Sequence, residues 1–178
     1  MALKRDAAYG KHELTNLLRR LIDDEGFAED EFVVTGSARM LMTGHRTRIS
    51  DIDIVARGET WHRAVELVSL GRGYTEFTAI SGAMVVRLYE GLVEVCDTWF
   101  MGEADTDDLI EGAEVMEGLR FITHEDLVAY KRKLNRPKDR SDLAALAGRG
   151  STISDIGGVY VTPVPRRPAV VRAGAPAL

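Results

Sequence analysis

The sequence predicts an α+β fold: a small mixed sheet with flanking helices and a helical C-terminal end. Three observations predict it. Helix-like and strand-like periodicities alternate over the first half of the chain, strand-like runs follow one another over residues 74–100, and helical patterning returns from residue 123. Leu14, Leu17, Leu18 and Leu21 stand at i, i+3, i+4 and i+7, which predicts an amphipathic helix over 11–24. Residues 31–35 are a short apolar strand ending at Gly36, and 37–42 begin a helix with Ser37 as the expected cap. Residues 51–56 alternate and are β-branched, as a strand requires, and 60–70 form a helix stopped by Gly71 and Gly73. Three strands are expected at 74–80, 83–89 and 92–100, the last two joined by a turn at Glu90-Gly91. The acidic stretch 103–117 reads as a weak helix or a loop, and 119–122 as a short strand. Thr123 caps a helix that runs to about Leu134. Pro137 opens another, which carries Leu143, Ala144 and Leu146 and stops at Gly148.

The chain has 178 residues, enough to bury a core without disulfides, and its single cysteine, Cys96, excludes a disulfide framework and a multi-cysteine zinc site. Residues 1–150 are read as one domain. Four of the five prolines fall within 163–176, so 151–178 is read as a Pro-rich tail, flexible or docked. No secretory signal and no membrane-length apolar run is visible, so a cytoplasmic protein with no membrane partner is expected. The net charge of −5 disfavours nucleic-acid binding through bulk positive charge. The charge is uneven, however: residues 103–117 hold seven carboxylates and no base, whereas 131–140 hold six bases and one acid. A polyanion would meet the second stretch.

The chemistry lies in Val34-Thr-Gly-Ser37 and Ser50-Asp-Ile-Asp-Ile54. Side chains alternate along a strand, so Asp51 and Asp53 project from one face. Two adjacent carboxylates repel unless a cation sits between them, and an all-oxygen donor set that leaves room for phosphate suits Mg²⁺. A strand ending in Gly36-Ser37 at a helix start offers backbone N–H groups and a hydroxyl to an anion, and the glycine lets phosphate approach closely. A phosphate grip plus paired carboxylates is the equipment of metal-assisted nucleotidyl transfer. Arg39, Arg46 and Arg48 lie between the two halves. One of them is expected to grip phosphate, and Arg48 is the candidate.

Gly36-Ser37 followed by Asp51-Ile-Asp53 resembles the signature of the DNA polymerase β-type nucleotidyltransferase superfamily. Glu125-Asp-Leu-Val-Ala-Tyr-Lys131, Arg136-Pro-Lys-Asp139 and Ser141-Asp-Leu143 are similar to the C-terminal helices of minimal bacterial nucleotidyltransferases, among them the toxins of abortive-infection-type toxin–antitoxin systems. The resemblance covers about residues 31–147. It implies that an NTP binds at Gly36, Ser37 and Lys131, with Asp139 following a basic turn, and that Asp51 and Asp53 hold Mg²⁺. It also implies a third carboxylate from a neighbouring strand, acting as general base or metal ligand. Val93 and Val95 should face the core, which puts Glu94 on the open face; Asp97 stays an alternative, because a bulge would exchange them. The implied acceptor is a tRNA end, a protein hydroxyl or a small molecule such as an aminoglycoside. The subgroup likeness favours a toxin-like enzyme with a tRNA or protein acceptor and a cognate antitoxin. The alternatives are a small-molecule, antibiotic-type nucleotidyltransferase and a non-catalytic nucleotide-sensing or antitoxin-like module of the same fold.

Other residues read as structural. The four histidines lack metal-ligand spacing, Cys96 packs on its strand, Trp61 and Trp99 fill the core or rim, and Arg87 either reaches the cleft or pairs with a neighbouring acid.

Overall fold

A computed structural model describes residues 9–78, 82–99 and 105–148; the expected tail at 151–178 lies outside them. The elements, in chain order, are α1 (Lys11–Asp23), β1 (Phe32–Thr35), α2 (Ser37–Met42), β2 (Ile52–Ala56), α3 (Gly58–Ser69), β3 (Gly73–Phe77), β4 (Met84–Leu88), β5 (Val93–Cys96), α4 (Thr106–Glu111), β6 (Glu114–Met116), β7 (Leu119–Phe121), α5 (His124–Leu134) and α6 (Pro137–Gly148). The strands form one mixed seven-stranded sheet in the order β3-β4-β5-β2-β1-β7-β6. β2 pairs antiparallel with β1 and parallel with β5, and β7 adds parallel to β1. This is the expected α+β architecture.

The pleat sorts the side chains into two cores. Phe32 and Val34 of β1, Ile52, Ile54 and Ala56 of β2, Val86 and Leu88 of β4, and Val93 and Val95 of β5 pack under α1 and α3. Leu14, Leu18 and Leu21 of α1 are buried there, as their spacing predicts. On the opposite face Val33 and Val55 meet Leu109 and Ile110 of α4, Leu127 of α5 and Leu146 of α6. Asp53 shares that second face with Val55, two residues along β2.

Four local expectations need correction. Gly36, not Ser37, occupies the cap position of α2, and Ser37 is the first helical residue. The link between β4 and β5 is a one-turn 3₁₀ helix over Tyr89–Gly91 rather than a two-residue turn, with Tyr89, Glu90 and Gly91 all at positive φ. Part of the acidic stretch forms β6, hydrogen-bonded to β7. On α6 the buried residues are Asp139, Asp142 and Leu146; Leu143 is half-buried and Ala144 exposed. Thr123 does cap α5, accepting from the Asp126 N–H through its hydroxyl at 3.1 Å. Among the described residues no helix is long and apolar enough to cross a membrane.

Candidate active site

The site begins where β1 ends. Gly36 turns the chain into α2 at φ 64°, ψ −144°, a conformation essentially reserved for glycine. The absent side chain matters twice, because a Cβ there would collide with Asp53 Oδ2 and lie 3.2 Å from Asp53 Cγ. The Gly-Ser bend and the Asp53 carboxyl therefore face one another directly. The register explains this: Thr35, the residue before Gly36, is the cross-strand partner of Asp53.

The same row continues across the sheet. Asp53 is the partner of Glu94, and Glu94 of Arg87, so Thr35, Asp53, Glu94 and Arg87 stand side by side on one face. Val93 and Val95 are buried and Glu94 is half-buried, as their alternation predicts. Asp97 lies beyond the end of β5, is exposed, and accepts a hydrogen bond from the Thr98 hydroxyl at 3.0 Å. Glu94, not Asp97, is thus the acid next to Asp53. Asp51 immediately precedes β2, is half-buried, and accepts from the Ser50 hydroxyl at 2.9 Å.

Burial, and after it the crowding of like charge, sets the protonation of the site. The Asp53 pKa is raised from 3.8 to about 7, first by burial, then by the charges of Asp51 and Glu94, with Lys138 and Lys131 pulling it partly back. Burial also raises Glu94, Arg87 opposes that rise, and Asp51 adds to it. Burial and then the charge of Asp53 raise the Cys96 thiol to about 12, so Cys96 is a neutral, packed neighbour. Tyr130 of α5 feels Asp53 as well, after burial, and its ring lies 5.2 Å from that of Trp99.

The basic residues are arranged differently from the sequence expectation. Lys131 is 2% exposed and donates to Asp142 Oδ2 at 2.6 Å, with Asp139 Oδ1 3.8 Å away. Asp139 is 0% exposed and receives the Arg136 side chain at 2.7 Å. Burial raises its pKa, but the bonds to Arg136 and the charge of Lys131 prevail and hold it below the usual value. Arg46 clamps the other oxygen of Asp142 through Nε at 2.9 Å. Arg39 is buried between the Ile122 carbonyl and Glu114. Arg48 is exposed in the segment joining α2 to β2. Gly36, Ser37, Asp51, Asp53 and Glu94 are thus brought together, whereas Lys131 and Asp139 lie inside the α5–α6 ion cluster, from which Lys131 acts on Asp53 through its charge. Lys138 and Tyr130 flank Asp53 without having been singled out; their only sequence signal is membership of the segment around Lys131.

Asp51 and Asp53 fit a hard divalent cation by donor type, by proximity and by the repulsion a cation would relieve. Among the described residues no three His, Cys, Asp or Glu side chains converge closely enough to hold a metal ion by themselves. Further ligands would have to be water or phosphate oxygens, as is usual for Mg²⁺. A separate cavity of about 540 Å³ lies beside Glu25, Arg72 and Tyr89 and holds none of these acids.

No protein-family model and no curated protein sequence matches this chain. Among solved structures it is similar to ANT(2")-Ia in complex with adenylyl-2"-tobramycin, with 15% identity, a TM-score of 0.51, and a match covering 78% of this chain and 87% of that one. The likeness is one of architecture: an α+β arrangement of mixed sheet and flanking helices like that of this nucleotidyltransferase structure.

Proposed function

We propose that this protein is a Mg²⁺-dependent nucleotidyltransferase that moves an NMP group from an NTP to an acceptor hydroxyl. The observation that carries the reading is the Asp53 carboxyl set against Gly36, with Asp51 beside it and Glu94 one strand away on the same face. Gly36 leaves room for the Asp53 carboxyl against the backbone, and the Ser37 N–H and hydroxyl would be the donors a phosphate meets at the bend. Asp51 and Asp53 would hold the cation, which supplies charge neutralisation on the phosphates and lowers the cost of ionising the acceptor. Glu94 takes the proton of the acceptor hydroxyl; the acceptor oxygen bonds to the α-phosphorus and pyrophosphate leaves with the electrons of the broken P–O bond. Lys138 and Lys131 contribute positive potential at Asp53.

Two acceptor classes each have an observation behind them. A small hydroxyl-bearing molecule is favoured by the adenylylated tobramycin in the structural neighbour and by the charge of −5, and the basic run that would attract RNA has Lys131 and Arg136 tied to aspartates. A tRNA or protein acceptor, with toxin-like activity and a cognate antitoxin, is favoured by the likeness of 125–143 to abortive-infection-type enzymes and by the gathering of Lys131, Arg136, Asp139 and Asp142 from that segment into one cluster. The test is incubation with each α-phosphate-labelled NTP and Mg²⁺ in the presence of aminoglycosides, cell RNA or cell protein. Label on one acceptor class, lost in Asp53→Asn, is the expected result. No label on any acceptor would favour a non-catalytic module, nucleotide-sensing if NTP still binds and antitoxin-like if it does not.

A further inference from the structure

The third acid of the site is already engaged. Arg87 of β4 is 9% exposed, and its Nη1 donates to Glu94 Oε1 while its Nη2 donates to Glu76 Oε1 of β3 at 2.5 Å. Its Nε is buried without a partner, so the guanidinium is committed to these two acids from within the sheet face rather than reaching outward. Cross-strand pairing puts Glu94 midway between two competitors: Asp53, where a cation would sit, on one side, and Arg87 on the other. Asp51, Asp53 and Glu94 influence one another electrostatically, yet no three-acid metal cluster forms among the described residues.

We propose that Arg87 is a positioning residue that holds Glu94 away from the cation, leaving a site of two carboxylates and reserving Glu94 for the acceptor hydroxyl. A guanidinium and a divalent cation compete for the same carboxylate lone pairs. Glu76 anchors Arg87 from the far side, so the guanidinium stays with Glu94 when the cation arrives. The proposal rests on Asp51 and Asp53 being the cation pair and adds that the third acid is withheld by design of the sheet row.

The test is calorimetric titration of Mn²⁺ alone into the full chain at pH 8, for wild type, Arg87→Met, Arg87→Lys, Glu94→Gln, the double variant Arg87→Met/Glu94→Gln, and Asp53→Asn. Circular dichroism and melting check the fold of each. Releasing Glu94 in Arg87→Met should tighten Mn²⁺ on the order of tenfold, because affinity follows the number of charged ligands. The gain should vanish in the double variant, and Arg87→Lys should restore wild-type affinity. Glu94→Gln alone should bind Mn²⁺ as wild type does. Should Glu94→Gln instead lose as much affinity as Asp53→Asn, Glu94 is a ligand already and the proposal is wrong. A folded Arg87→Met protein with unchanged affinity also overturns it, and if Arg87→Met does not fold, the Glu94→Gln result decides alone. Unchanged Mn²⁺ affinity in Asp53→Asn overturns the cation pair itself, a distinct failure.

Discussion

Asp53 carries a measurable signature of its surroundings. An ordinary aspartate is ionised above about pH 4, but in the fold this group holds its proton up to about pH 7. Between those values the folded state binds a proton that the unfolded chain has released, so stability falls as pH rises through the window and levels off above it. Asp53→Asn should abolish this decline and make the metal-free protein more stable than wild type at pH 8, which urea titrations at pH 5 and pH 8 would show. The thermal shift produced by Mg²⁺ should grow over the same window in wild type and disappear in the variant. Gly36→Ala should fail for two reasons, its positive φ and the collision with Asp53. The backbone cost alone is about 1–3 kcal/mol, and the melting temperature should fall together with NTP binding.

At the scale of elements, the α5–α6 pair is where reading the sequence and folding it diverge. Leu143, Ala144 and Leu146 mark an apolar side of α6, but the helix buries Asp139, Asp142 and Leu146, a set spaced at i, i+3 and i+7. Apolar periodicity could not reveal that face, because two of its three members are acids whose burial is compensated by Lys131, Arg136 and Arg46. The same blind spot makes Lys131 look like a solvent-facing phosphate ligand. Removing one partner of a buried ion cluster costs about 3–5 kcal/mol. Lys131→Met should therefore lower the urea midpoint sharply whether or not NTP is present; an unchanged midpoint with lost NTP binding would make Lys131 a phosphate ligand instead. The elements around Asp53 were legible for the converse reason. Asp51-Ile-Asp53 and Val93-Glu94-Val95 alternate cleanly, so their faces follow from parity. β6 was not legible, since a three-residue strand holding Glu114 offers no alternation to read.

Over the whole molecule, the two faces of the sheet divide the labour. One is sealed by α1 and α3; the other packs against α4, α5 and α6 and also carries the row of Thr35, Asp53, Glu94 and Arg87. Topology brings acids from distant parts of the chain into one row, and the likeness to ANT(2")-Ia is one of overall architecture. The acidic balance of the chain bears on the acceptor. If the acceptor is a small molecule, transfer should change little between low and moderate salt, whereas an RNA acceptor should show a steep loss.

The most direct test of the central claim is the thermal shift given by each NTP with Mg²⁺ and with EDTA, compared between wild type and Asp53→Asn. The account predicts that at least one NTP stabilises wild type only when Mg²⁺ is present, and that Asp53→Asn shows no such shift while remaining folded. A shift of equal size in Asp53→Asn, or one that survives EDTA, would contradict it.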